Sequence, residues 1–195
     1  MKKLIGKKLI TLVSIICFTL GGWQLGEGAY LEAKAWLSQI LLQQAWSDTL
    51  TGQSQVKPWP WADTWPVARM QVKRLGVDRI VLADASGRSM AFGPGYVTGT
   101  AQLGNGGNSA ISGHRDTHFR FLKNLRTDDQ IELTLKDGTV RGYRITNASV
   151  HHQDETWLLA DKGDDQLTLI TCYPLNALAP GGPLRYVVQA KAVLF

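Results

Sequence analysis

A chain of 195 residues, 44% hydrophobic and carrying 20 glycines, can bury one real core among many turns and has no room for two full domains. The net charge of +5 is concentrated at one end: Lys2, Lys3, Lys7 and Lys8 carry four of those charges, leaving +1 for everything after them. A basic groove for a phosphate backbone is thereby excluded, and no nucleic-acid partner is expected.

Residues 1–8 form a lysine-rich tail expected to stay in the cytoplasm. Residues 9–25 are an uncharged, mostly apolar run of seventeen, the short limit for crossing a bilayer, and Lys7 and Lys8 can snorkel to its interface. The run also suits a signal-peptide core, with Ala33-Lys34-Ala35 as a small-x-small cleavage site. That site falls well beyond the run and inside a helical pattern, so an uncleaved single-pass transmembrane anchor is the expectation. Cys17 lies within this run as membrane filler.

Residues 26–66 read as an amphipathic helix followed by a strap. From Ala29 to about Leu50, Ala33, Trp36, Leu37, Ile40, Leu41 and Ala45 recur at helical spacing, with Glu32, Lys34, Ser38, Gln39, Gln43, Ser47 and Asp48 opposite. Such a stripe packs on a domain or a second copy, or rests in a membrane interface; the scarcity of positive charge on the polar face favours packing. The stretch Pro58-Trp59-Pro60-Trp61-Ala62-Asp63-Thr64-Trp65-Pro66 cannot be helical, and three tryptophans are costly in water. An extended strap lying on a surface is expected, either as a linker stapled to the domain's flank, as a lid over a groove, or as a contact with a membrane or partner.

From 67 to 195 the pattern turns to short strands. Arg79–Ala83 is closed by a turn at Ser86-Gly87, Ser109–Gly113 follows, and Ile131–Leu135 meets Val140–Ile145 across Lys136-Asp137-Gly138-Thr139, a hairpin signal. In Gln166–Pro174, Leu167, Leu169, Thr171 and Tyr173 fall on one strand face and Thr168, Ile170 and Cys172 on the other. Pro174 has no N–H to give a ladder, so that strand stops just past Cys172. Leu184–Leu194 is the last strand. Helical pieces are short: Phe119–Leu125, capped by Asp116 or Thr117, and a turn around Trp157. Short strands, Gly-rich turns and no space for βαβ crossovers indicate a mainly-β fold, a small closed β-barrel.

Three reactive side chains fall at strand ends. His114 closes Ala110-Ile111-Ser112-Gly113-His114, Cys172 closes its own strand, and Arg185 opens the last one on the face of Gln189 and Lys191. The loop from Pro174 to Pro183 makes the Cys172 and Arg185 strands neighbours. With Cys17 in the apolar run, Cys172 has no disulfide partner within reach and is a free thiol. An unperturbed thiol at about 8.5 facing an imidazole at about 6.5 is mostly neutral near pH 7, so only a fraction is thiolate–imidazolium unless the site shifts the balance. The imidazole can protonate a leaving amine, and a guanidinium can hold an oxyanion or clamp peptide carbonyls. Together they suit acyl transfer from a peptide bond. Taken singly, a structural histidine and a small buried cysteine are the plain readings. His118 stands four residues after His114, but such pairing on a metal needs a helix and His114 ends a strand. No metal is expected; His118, His151 and His152 are read as surface or groove-rim residues.

On these residues the sequence resembles the sortase family. Thr168-Leu169-Ile170-Thr171-Cys172 is similar to the family's Thr-Leu-x-Thr-Cys motif, Arg185 follows thirteen residues on, and Gly113-His114-Arg115-Asp116-Thr117 looks most like the class D branch. Trp59–Val67, Gly107-Asn108 and Pro180–Val188 look like the Gram-negative (proteobacterial) group; the likeness covers roughly residues 56 to 190 and the N-terminal anchor arrangement. The resemblance implies an eight-stranded β-barrel and a membrane-anchored cysteine transpeptidase, set in the inner membrane with its catalytic domain in the periplasm. It implies cleavage of a Leu-Pro-x-Thr-Gly-like signal after Thr, a thioacyl intermediate on Cys172, and transfer to an amine acceptor or to water. His114 would be the general acid/base and Arg185 the oxyanion or substrate stabiliser. Arg115 and Asp116 are read separately, as a local pair or cap that orients the His loop and outside the catalytic set. No cofactor is required. The implied partners are a substrate protein carrying that C-terminal signal, an amine acceptor of the cell envelope and the inner membrane. Two rivals differ in class. An L,D-transpeptidase or another exported cysteine peptidase is one, and the former keeps its histidine and arginine tight around the cysteine, unlike this chain. A non-catalytic periplasmic binding module that kept the barrel is the other.

Overall fold

The computed structural model describes residues 2–161, 163–177, 179 and 181–193, with side chains at Leu12 and from Ser14 onward. The chain divides into two compact units, Met1–Ile40 and Leu41–Phe195.

The first unit is helical. Helix α1 (Lys2–Leu50) runs through it and ends in the second, so one helix replaces the expected anchor and separate amphipathic helix. No proline interrupts 2–50, and glycines at 21, 22, 26 and 28 lower helix propensity without breaking it. Among the described residues no helix is long and apolar enough to cross a membrane, so the transmembrane anchor expected over 9–25 is not borne out. Ser14, Thr19, Gly21, Gly22 and Gln24 dilute the run, and the side chains of the basic tail and of 9–11 and 13 lie outside those described.

Of the predicted apolar stripe, Ala45 is buried in the second unit, where Leu42, Trp46 and Thr49 are the other buried positions of α1; Trp36, Leu37 and Ile40 belong to the first unit. Leu42 and Trp46 pack with Ile80 and Leu82, with Phe92 against them. Apolar residues at 36, 37, 40, 41, 42, 45 and 46 allow two overlapping stripes, and within the second unit packing buries Leu42, Ala45 and Trp46.

Eight strands close a barrel in the second unit, as expected: β1 (Pro66–Val72), β2 (Val77–Leu82), β3 (Gly95–Tyr96), β4 (Asn108–Ser112), β5 (Gln130–Leu135), β6 (Val140–His152), β7 (Gln166–Cys172) and β8 (Leu184–Val193). Around the barrel the order is β1-β2-β3-β4-β7-β8-β6-β5, with β2–β3 and β4–β7 parallel and the other pairs antiparallel. Alternation decides what fills it: Ala68, Met70 and Val72 from β1, Ile131 and Leu133 from β5, and Leu167 and Leu169 from β7 are buried in one cluster. Tyr143 joins them, and its hydroxyl donates to Asp165 at 3.1 Å.

The hairpin at 136–139 forms as the turn residues require, with Leu135 N donating to Thr139 O at 2.8 Å and Gly138 at φ 81°. Beyond Ile145 the strand β6 continues through a bulge to His152, held by β8; the polar run Thr146-Asn147 gives no alternation to announce it. Two strands carried no separate sequence signal. β1 emerges directly from the strap, and β3 is two residues long, with Gly95 seated where a Cβ would lie 2.0 Å from the Asp84 carbonyl. The short helical piece after His114 is a 3-10 turn, Arg120–Asn124, whose preceding residue Phe119 makes no side-chain cap bond, so neither Asp116 nor Thr117 caps it. A second 3-10 turn, Thr156–Leu159, lies at Trp157 as expected. The strap is tied down along its length: the Trp59 ring meets Phe92 edge-on at 4.8 Å, Asp63 accepts from Arg88 at 3.5 Å and Trp65 O accepts from Ala83 N at 2.9 Å, while Trp61 stays 80% exposed.

Because Trp46 is 3% exposed and seals a small cluster apart from the barrel core, Trp46→Ala should lower stability. The expected loss is about 3 kcal/mol, read as a lower denaturant midpoint with the barrel's far-UV signature retained.

Candidate active site

Strand β7 is paired on both sides, and those pairings assemble the site. Against β4 it runs parallel, with Ser109 opposite Leu167 and Ser112 opposite Ile170. The pairing continues past the strand end, where Gly113 N donates to Ile170 O at 3.1 Å and Thr171 Oγ1 donates to Gly113 O at 2.7 Å. Carried on by two residues, that register sets His114, just past the end of β4, alongside Cys172, the last residue of β7. Against β8, β7 runs antiparallel and sets Cys172 directly opposite Arg185; β8 in turn sets Arg185 opposite His151. All three sequence-selected residues lie at one edge of the barrel. Leu167, Leu169 and Thr171 point inward and are buried, whereas Cys172 is half-buried and His114 exposed.

The turn around His114 is built by close packing. Thr117 N and Phe119 N both donate to His114 O, at 3.4 and 3.0 Å, wrapping the segment back on itself. Phe119, fully buried, lies over Gly113, where a Cβ would sit 2.9 Å from its ring. Only glycine leaves room for that contact.

Arg185 is held half-buried by its own loop. Nη1 donates to Gly182 O at 2.8 Å and Leu184 O at 2.9 Å, and Nη2 to Gln153 Oε1 at 2.9 Å. A guanidinium has five N–H groups, so the Nε hydrogen and one on Nη2 are left over among the described residues. Beside it runs a groove lined by His151, Gln153, Glu155, Leu158, Ile170 and Arg185. His151 is fixed there between Ser149 Oγ at 2.8 Å and Glu155 Oε2 at 3.0 Å, and the bond from His151 is the main reason Glu155 titrates below the usual carboxylate range. His151 and His152 thus rim the groove, as expected. His118 faces Ala91 O at 3.4 Å, and burial pushes its pKa down, with lesser lowering by Arg79 and His114.

Sequence reasoning paired Arg115 with Asp116 but missed the reach of that arginine. The Arg115 side chain is buried, with Nε and Nη2 on the Asp116 carboxylate, both at 2.8 Å. Its Nη1 donates to Pro174 O at 2.8 Å and Nη2 to Ala177 O at 3.0 Å, so it fastens the loop after Cys172 to the loop after His114. The bonds to Asp116 are the largest cause raising the Arg115 pKa; burial opposes them, and charge on Cys172 adds to the rise. The same bonds hold Asp116 below its ordinary value, with smaller contributions from Arg120 and His114. Also missed was a buried polar relay: Thr168 Oγ1 donates to Asn108 Oδ1, and Asn108 Nδ2 to Leu158 O, each at 2.8 Å. A polar residue inside an apolar strand, Thr168, was its only sequence signal. Among the described residues no group of three or more His, Cys, Asp or Glu side chains could hold a metal ion.

The tight Gly113–Phe119 contact yields a direct expectation. Gly113→Ala should cost about 1–3 kcal/mol by overpacking and displace the His114 turn. Denaturant melts would show the first effect, and an altered His114 side-chain NMR signal in the folded protein the second.

The sortase domain family model matches residues 70–193. Among individual proteins, the chain is 26% identical over 125 residues to Sortase D of Bacillus subtilis (strain 168), a match covering 64% of this chain and 62% of that one. It is 25% identical over 131 residues to Sortase A of Bacillus anthracis, covering 65% and 60%. The chain thus spans less than two-thirds of the length of either relative. In three dimensions it superposes on sortase A from Corynebacterium diphtheriae with a TM-score of 0.62 at 26% identity, covering 75% of this chain and 68% of the other. A Clostridium perfringens sortase D5 transpeptidase shares the fold, with a TM-score of 0.65 at 22% identity over 80% of this chain and 98% of that one. With the family match spanning most of the chain and coinciding with the barrel, this protein belongs to the sortase family.

Proposed function

We propose that the chain is a cysteine transpeptidase that cleaves a Leu-Pro-x-Thr-Gly-like sorting signal after Thr and passes the acyl group to an amine or to water. The observation that carries the reading is the double register of β7, which brings the ends of the His114, Cys172 and Arg185 strands to one barrel edge. Sortases act at the cell envelope on substrate proteins with sorting signals, which fits that chemistry.

In this reading the Cys172 thiolate attacks the Thr carbonyl carbon, and the carbonyl π pair moves to oxygen. The free Nε and Nη2 hydrogens of Arg185 stabilise that oxyanion or hold the substrate's carbonyls. As the C–N bond to Gly breaks, the His114 imidazolium gives its proton to the departing amine, leaving a thioester on Cys172. A neutral amine of the envelope, or water, then attacks the thioester; His114 takes its proton, the C–S bond breaks and the thiolate returns. No cofactor enters either half.

The groove beside Arg185, with Ile170 and Leu158 on its wall, supports binding of the signal peptide on that side. Exposed Phe18, Leu20, Trp23 and Leu25 on α1 support attachment at a membrane. In this reading it is the inner membrane, with the barrel on its periplasmic side, where a cell-envelope enzyme meets its substrates. Membrane fractionation with and without residues 1–40 tests that location; release of the barrel on truncation is the expected result.

The reaction is tested by trapping. Full-length protein is incubated with a panel of Leu-Pro-x-Thr-Gly peptides and examined by intact mass. Wild type should carry an acyl adduct, Cys172→Ala none, and His114→Ala and Arg185→Ala should turn over roughly 100-fold more slowly or worse. A folded protein whose Cys172 takes neither peptide nor thiol reagent would sink the enzyme reading in favour of a binding module. A reactive thiol without turnover on any such peptide would point to another kind of exported cysteine peptidase.

A further inference from the structure

Past the ends of β4 and β7 a second cavity opens, separate from the groove beside Arg185. Its walls are Arg115, Asp116, Arg120 and Lys123 from the segment after His114, and residues 175–177 from the segment after Cys172. Three cations there face one carboxylate. Asp116 is engaged by Arg115 through both oxygens, and Arg115 is itself buried with its remaining donors on backbone carbonyls. Arg120 and Lys123 are exposed and make no ion pair among the described residues. With three cations against one carboxylate, on which Arg120 also acts, the cavity lining keeps an excess of two positive charges. Its floor is tied to the chemistry, because Arg115 holds the carbonyls of Pro174 and Ala177 just beyond the thiol.

We propose that this cavity is the acceptor subsite and that Arg120 and Lys123 hold the carboxylate of a zwitterionic amine acceptor of amino-acid or short-peptide type. The inference rests on the transpeptidase reading above. A guanidinium beside an ammonium suits a carboxylate, which a fork of N–H donors binds at two oxygens. The same positive potential acts on the acceptor's other end. An ammonium group must lose a proton before its nitrogen can attack a thioester, and nearby cations favour the neutral amine by lowering its pKa. A purely cationic acceptor would be repelled, and water gains nothing from the site. The cavity thus selects carboxylate-bearing amines and biases the thioester toward aminolysis.

Binding is tested without any need for turnover. Full-length Cys172→Ala protein is titrated with glycylglycine and, separately, with glycylglycine amide, followed by backbone amide NMR shifts. Glycylglycine should move the signals of Arg120, Lys123 and Asn176 and bind roughly five- to ten-fold more tightly than its amide. The gap should close in the Arg120→Glu, Lys123→Glu double variant and persist in Lys136→Glu, on the exposed β5–β6 turn. Equal affinity for the two dipeptides, or a gap that survives charge reversal, overturns the carboxylate site. In wild type preloaded with a sorting peptide, the aminolysis-to-hydrolysis ratio should follow the same preference; equal ratios for both acceptors overturn the acceptor role. A chain that never forms the thioacyl adduct would defeat the transpeptidase reading, while the NMR titration would still decide whether the cavity binds carboxylates.

Discussion

The site depends on one constraint, the register of β7 between a parallel neighbour and an antiparallel one. Side chains alternate along a strand, so a slip of one residue would turn Cys172 inward and Thr171 out. The apolar set Leu167 and Leu169, fully buried, resists that slip on one face. Polar pairing resists it as well: the Thr171 hydroxyl reaches Gly113 O, and Thr168 reaches Asn108, which in turn reaches Leu158 O. Both hydroxyls are sealed from water, where losing a partner would leave an unsatisfied polar group at a cost of about 1–3 kcal/mol. Strand register, core burial and satisfied polar groups all favour the same arrangement.

Electrostatics then differentiate the two sides of that edge. On the β8 side, Arg185 sits beside a groove with His151, Glu155 and aliphatic walls. On the β4 side, the cavity is dominated by cations. Arg115 belongs to the second and stabilises the first by position. A buried guanidinium is tolerable only when its N–H groups are met, and Asp116 with the carbonyls of Pro174 and Ala177 meets them. Fixing those carbonyls sets the path of the chain leaving Cys172, so one charged side chain couples the loops that carry the thiol and the imidazole.

Much of this was legible in the linear chain because its signals are local. The β5–β6 hairpin is written in Lys136-Asp137-Gly138-Thr139, the end of β7 in Pro174, and the barrel class in short alternating strands without helical crossovers. The three residues brought to one edge were already distinguished by type and by position at strand ends. What stayed hidden was non-local. The far half of β6 exists because β8 supplies its hydrogen-bond partners, and β3 exists because Gly95 fits against Asp84. The reach of Arg115 to residues 59 and 62 positions away has no spacing to betray it. Helix α1 shows the same limit, since its crowded apolar residues permit more than one stripe.

By itself, then, the sequence determined the alternation that makes a barrel, the turns that punctuate it and the reactive residue types at strand ends, all of which follow from each residue's own geometry and its near neighbours. Tertiary structure alone decided which strands pair, which face of α1 is buried near its end, and which residues the register sets beside Cys172. Those choices compare contacts between segments far apart in the chain, and their energies come from burial and hydrogen bonding that exist only once the segments meet.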